Sequence, residues 1–158
     1  MTRPGDLLEA SDGAQPTELI GLSTWVGVAR HEVSRESVGR FWSAVSPGRA
    51  PEDDLGHVPP TYFCPDPIAE VVQMGLVRPT EPPLSIDAGS EWIPGHSLRI
   101  GDVVTSVGRV LDVQQRLARD GRALLETTVE VRSWNQDGRL AGVARGTILN
   151  YEARPDGR

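Results

Sequence analysis

The chain has 158 residues, a formal net charge of −6 and a pI near 5.0, which suits one domain with a single core burying about two thirds of its unfolded surface. The acidic balance and the scatter of the basic residues argue against a nucleic-acid partner, and the use of arginine for all sixteen basic positions reads as compositional bias rather than as a set of bidentate sites. One cysteine excludes an internal disulfide and a cysteine metal cluster, and neither a basic-plus-apolar leader nor a run of about eighteen apolar residues is present; the sequence therefore reads as cytoplasmic, with no membrane insertion, metal or cofactor.

Residues 1–20 mix Pro, Gly, Asp and Ser with little periodicity and read as a loosely ordered arm, with a short helical turn near 17–20. The segment 24–33 places Trp25, Gly27, Ala29 and His31 on one side and Val26, Val28 and Arg30 on the other, the pattern of a short strand. Ser34 is a fitting N-cap for the helix that follows. Val33 and Val38 stand at the positions of a hydrophobic staple, and Val38, Phe41, Trp42 and Val45 recur at helical spacing. Pro47-Gly48 ends this helix, and a polar loop leads to GHVPPTYFCPDP at 56–67, where four of the thirteen prolines fall. Proline fixes φ and biases the residue before it toward extended backbone, so this stretch is a stiff hinge. A second helix is expected over PIAEVVQMGLV, with Ile68, Val71, Val72 and Leu76 on one face and Gly75 near its end.

The remainder reads as β. A strand at 84–93 precedes a turn at Pro94-Gly95. In the next, at 101–117, Val103, Thr105, Val107, Arg109, Leu111 and Val113 face one way and Val104, Ser106, Gly108 and Val110 the other. ARDG turns the chain into 122–134, and NQDG makes a hairpin into the last strand, so these three form a meander. Leu140, Ala144 and Ile148 share a face with Gly142 and Gly146, where missing side chains admit a closely packed neighbour, a helix of the same domain or a partner, with the helix as the first expectation. The fold class is α+β, a curved antiparallel sheet covering a helix, with dimerisation as the means of managing its edge.

VPPTYF at 58–63, GSEWIPGHSLRIGDVVTS at 89–106 and ETTVEVRSWNQDGRLAGVARGTIL at 126–149 together resemble the N-terminal dehydratase domain of the MaoC-like group. Its members show a Pro-Pro-Thr-Phe-like hinge, an acidic-aromatic strand leading to Arg-Pro-Leu-x-x-Gly-Asp, and an Asn-x-x-Gly hairpin. Each motif alone is ordinary turn chemistry; the ordered set is what makes the match specific. The resemblance covers roughly 30–150 and implies a hot-dog fold in which two units pair their sheets, with the domain at 21–153 and a tail at 154–158. It also implies acyl thioesters of coenzyme A or acyl carrier protein as substrates, and addition of water across an enoyl thioester. That reaction needs a base for a water proton, an acid for the α-carbon and N–H donors for the enolate oxygen.

In catalytic members of the group the acid and base occur as Gly-Asp-x-Asn-Pro-x-His, and the corresponding stretch here, SPGRAPEDDLGHVPP, has no Asp at that spacing before a His. His57 lies five residues after Glu52 and four after Asp53. It immediately precedes Val58-Pro59-Pro60 and reads as a partly exposed loop histidine. His31 reads as a structural surface residue. His96 stands where relatives tend to carry Arg before Pro-Leu, and reads as a turn residue or as a contact for a coenzyme A phosphate. Cys64 lacks a base and reads as a small buried hydrophobe. Tyr62, Phe63 and Trp92 read first as core or interface aromatics and then as acyl-pocket walls; with Pro60, Thr61 and Cys64 they form the expected substrate-binding set. Glu91 points to a dimer seam, and Asp102 is a turn residue. The leading expectation is a non-catalytic, substrate-accommodating subunit of a heteromeric enoyl-thioester hydratase or 3-hydroxyacyl-thioester dehydratase, a hydro-lyase active only with a catalytic MaoC-like hot-dog partner. The prolines of EPPL and the short second helix fit a bulky polyketide, sterol side chain or long acyl group. The alternatives are a self-sufficient homodimeric hydratase or thioesterase using Asp53, or Glu52 or Asp54, with His57, and a thioester-binding module without turnover.

Overall fold

The computed structural model describes residues 25–46, 58–76 and 85–151. The N-terminal arm, the loop 47–57, the EPPL segment and the C-terminal tail lie outside the described residues. In chain order the elements are β1 (Trp25–Glu32), α1 (Arg35–Val45), α2 (Pro67–Gln73), β2 (Ser85–Pro94), β3 (Val103–Leu117), β4 (Ala123–Trp134) and β5 (Leu140–Tyr151). The five strands form one antiparallel sheet in the order β1-β3-β4-β5-β2. The β3-β4-β5 meander is its centre, and the two strands that flank the helices in sequence become its edges.

Local chemistry accounts for the ends of the elements. Ser34 caps α1 and exchanges two bonds with Ser37: the Ser37 N–H donates to Ser34 Oγ and the Ser34 N–H to Ser37 Oγ, each at 3.1 Å. This is a capping box with serine in the place of the usual Glu or Gln. Val33 and Val38 are both fully buried beside it. The helical stripe expected to run on to Val45 stops short, since Val45 is 54% exposed; only the first two turns of α1 reach the core. Asp66 Oδ1 caps α2 by accepting from the N–H groups of Ile68 and Ala69, and Pro67 opens the helix where its missing N–H costs nothing. The helix closes at Gln73, earlier than its apolar spacing implies, because Gly75 at φ 76° lets the Gly75 and Leu76 N–H groups bond the Val72 and Val71 carbonyls.

It is α2, the shorter helix, that lies on the concave face of the sheet. A side chain at Gly108 would meet Met74, Val71 and Leu76, one at Gly146 would meet Ile68 and Pro67, and one at Gly142 would overlap the Phe63 ring. The glycines of β5 therefore admit the hinge at one position and the helix at the other. In β3 the register slips between Val110 and Asp112. This bulge turns Val113 onto the face of Val104 and Val110, where it joins the core instead of following Val107 and Arg109. A second slip, between Ser133 and Trp134, leaves Leu140 40% exposed while Ala144 and Ile148 are buried as expected. No helix among the described residues is long and apolar enough to cross a membrane.

Candidate functional site

The hinge is held to the sheet through its carbonyl groups. Trp92 Nε1–H donates to the Cys64 carbonyl at 2.7 Å, and Ser133 Oγ–H donates to the Phe63 carbonyl at 3.3 Å while paired with Ser106 Oγ at 2.8 Å. Two tight turns, Tyr62 N–H to Pro59 O and Cys64 N–H to Thr61 O, compact the same stretch. Phe63 and Cys64 are buried under it, and Pro60 is exposed. Phe63 and Trp92 are thus parts of the scaffold that fixes the hinge. Burial pushes the Cys64 thiol far above its ordinary range, and the Glu70 and Asp66 charges add to this, which disfavours the thiolate.

Beside the hinge lies a cleft of about 480 Å³ between β1, the start of α1 and α2. It is lined by the apolar Ala29, Phe41 and Pro65, by Tyr62, and by the polar His31, Ser37, Glu70 and Gln73, with Arg30 and Arg40. Tyr62 contacts three of the other lining residues. His31 and Phe41 pack edge-on against the Tyr62 ring, with centroids 6.0 and 5.8 Å away, and the Tyr62 hydroxyl lies 2.5 Å from Ser37 Oγ. Burial holds the His31 imidazole below its ordinary pKa, which favours the neutral ring. Burial, and then the charge of Asp66, raises the Glu70 carboxyl above the ordinary carboxylate range.

Of the substrate-binding set read from the sequence, the structure places Tyr62 on this cleft. Asp53 and His57 lie outside the described residues. His31, read as a surface residue, is instead half-buried against Tyr62; His31, Ser37 and Glu70 were missed as lining residues. The signal for His31 was its parity with Gly27 and Ala29, which puts it on the concave side of β1 opposite Val104. His96 is exposed, and its N–H donates to the Leu140 carbonyl. Asp102 is a turn residue as expected: it accepts from the Arg99 N–H at 2.9 Å and from Gln136 Nε2 at 2.8 Å. Burial opposes its ionisation, but the Gln136 and Arg99 hydrogen bonds outweigh this and hold the carboxyl below its usual range. Glu91 faces Arg145 at 3.8 Å within the same sheet. Among the described residues no three His, Cys, Asp or Glu side chains converge as metal ligands would.

No protein-family model matches the chain, and no curated protein sequence matches it. Solved structures do. A MaoC-like dehydratase from Rhodospirillum rubrum superposes with a TM-score of 0.60 at 20% identity, covering 87% of this chain and 97% of its own. The HadBC complex, a 3R-hydroxyacyl-ACP dehydratase from Mycobacterium tuberculosis, gives 0.58 at 20% identity, with 84% and 97% covered. A hot-dog-like protein from Thermanaerovibrio acidaminovorans gives 0.54 at 14% identity, with 85% and 87% covered. The chain has the hot-dog fold, and MaoC-like dehydratases, which its motifs resemble, are among its structural neighbours.

Proposed function

We propose that this chain is the acyl-thioester-accommodating subunit of a heteromeric hot-dog enoyl-thioester hydratase or 3-hydroxyacyl-thioester dehydratase in the cytoplasm, the acid–base couple being supplied by a MaoC-like partner. The observation that carries this reading is a built cleft beside an intact hinge in a chain whose sequence does not spell the couple. Its two asparagines, Asn135 and Asn150, are followed by Gln and Tyr, so no Asn-Pro exists to form Asp-x-Asn-Pro-x-His. Cys64 is buried and its thiolate disfavoured, which argues against it as a substitute nucleophile.

In this reading the chain binds and orients while the partner transfers protons. The Trp92 and Ser133 hydrogen bonds hold the hinge still, so the cleft wall is preorganised and its geometry costs little on binding. The partner's carboxylate and imidazole then take a water proton and protonate the α-carbon. The likeness to a HadBC complex supports a two-subunit arrangement, and the outer edge of β2, which pairs with no further strand among the described residues, offers a strand for pairing.

The test is hydration of crotonyl-CoA and longer enoyl-CoA thioesters by the purified chain, alone and with the hot-dog subunit that co-purifies with it. Turnover only in the complex is the expected result. Rapid hydration by the isolated chain, lost on His57→Ala, would replace this reading with a self-sufficient enzyme; thioester binding without turnover even in company would leave a binding module.

A further inference from the structure

We infer that the convex face of β2 and β5 is a contact surface for a second copy of this chain, separate from the strand edge proposed for the hot-dog partner. Five large apolar side chains are exposed among the described residues, and two of them, Ile86 at 48% and Ile93 at 47%, lie on this one face of β2. Strict alternation would not place Ile86 there. The register of β2 against β5 slips between Asp87 and Gly89, and the extra residue turns Ile86 to the side of Glu91 and Ile93. Leu149 and Val143 of β5 stand opposite the two isoleucines, and both are partly exposed. Clustered exposed apolar surface of this kind marks a protein contact. Pairing along the outer edge of β2 extends the sheet in its own plane and leaves the face uncovered.

The charges between the two apolar rows choose the occupant. Glu91 of β2 is directly opposite Arg145 of β5; the pair is 3.8 Å apart, with side chains 64% and 44% exposed, too far for a hydrogen bond. A second copy turned over about a two-fold axis parallel to the strands, between β2 and β5, meets each row with the strands exchanged. Glu91 then faces the second copy's Arg145 and Arg145 its Glu91, while Ile86 meets Leu149 and Ile93 meets Val143. An axis across the strands through the same row would instead set Glu91 against Glu91 and Arg145 against Arg145, which is repulsive. The face is therefore complementary to itself in one orientation, as a two-fold contact requires. That orientation stacks two sheets with their strands aligned, an ordinary packing at about 10 Å. Exposed ion pairs add little affinity, so the apolar rows supply the attraction and the charges fix the register. Arg145 is already anchored through its Nε–H to Glu130 at 2.9 Å, which lowers the cost of ordering it on docking.

The experiment is sedimentation equilibrium of the full chain, alone and with the subunit that co-purifies with it, over a dilution series, with thermal unfolding as the check on folding. Val143→Glu puts a carboxylate into the contact one strand in from the edge, beside Arg132 of β4, and is expected to halve the particle mass without releasing the co-purifying subunit. Glu91→Arg, at an exposed position, sets like charges face to face and is expected to raise the dissociation constant about tenfold, an effect that shrinks at about 1 M salt. Leu117→Ser removes an exposed side chain at the far end of β3 and is expected to leave the mass unchanged. A particle holding a single copy of this chain would overturn the contact. So would a mass that Val143→Glu and Glu91→Arg both leave unchanged at parental thermal stability, or a loss on Leu117→Ser as large as that on Val143→Glu. None of these results alters hydration by the complex, so the acyl-thioester reading stands or falls on its own assay.

Discussion

The two faces of the sheet are built on different physics from the same strands. On the concave face the central positions are small: Gly108, Ala144, Gly142 and Gly146 give way to Met74, Phe63 and Ile68, and stability comes from close apolar packing. On the convex face, one residue out of step, the row Glu91, Arg145, Glu130 and Arg109 crosses β2, β5, β4 and β3 as alternating charges. Glu130 has a fully buried side chain and takes Arg109, Arg132 and Arg145 each at 2.9 Å. The concave face is specified by shape and the convex face by charge, so each resists a different kind of change. Register matters equally to both: a slip of one residue would bring Glu130 beneath α2.

The largest expected effect lies on the convex face. Glu130→Gln leaves three guanidinium groups without their shared carboxylate, and a loss of about 3 kcal/mol in urea unfolding is expected. Burial opposes ionisation of Glu130, but the hydrogen bond from Arg145 and the charges of Arg109 and Arg132 outweigh it and hold the carboxyl below its ordinary value of 4.5. A depressed folded pKa means the stabilisation is complete above the ordinary carboxylate range and disappears as pH falls through the folded value. The parent chain should therefore lose its advantage over Glu130→Gln on acidification; an advantage independent of pH would refute a role for the carboxylate charge.

The concave face should respond next. Gly142→Ala forces a methyl group into the Phe63 ring, and a loss of about 2 kcal/mol is expected from overpacking. Adding Phe63→Leu should recover part of it, so the pair is non-additive; additive losses would mean that shape is not what couples hinge and sheet. The smallest effect belongs to α1, which neither face holds along its whole length. Ser34→Ala removes the cap that starts it, and about 1 kcal/mol is expected, measured as a lowered thermal midpoint. A much larger loss would show α1 to be more central to the core than the exposure of Val45 implies.

Much of the scaffold was legible in the residues. Strand segments were read where the five described strands lie, four of them from facing patterns along the chain, Ser34 and Gly75 marked helix ends, and Gly142 and Gly146 announced a close neighbour, because each signal depends on backbone geometry within a few residues. Val113 and Leu140 were assigned to the wrong faces: strict alternation contains no sign of a bulge, and one extra residue inverts everything after it. The cleft was less legible still. Tyr62 was named with the hinge, but Ser37, His31 and Glu70 come from α1, β1 and α2, and no spacing along the chain links them.

Sequence by itself determined the elements, their caps, the stiff hinge and the lack of an Asp-x-Asn-Pro-x-His couple, all of them local properties of covalent connectivity. Tertiary structure decided that α2 rather than α1 fills the concave face, that Glu130 gathers three arginines, and that a histidine at the end of β1 meets a hinge tyrosine. Those outcomes depend on which surfaces remain after the sheet closes over its helix, a question of volume and burial that is settled only when distant segments compete for the same space.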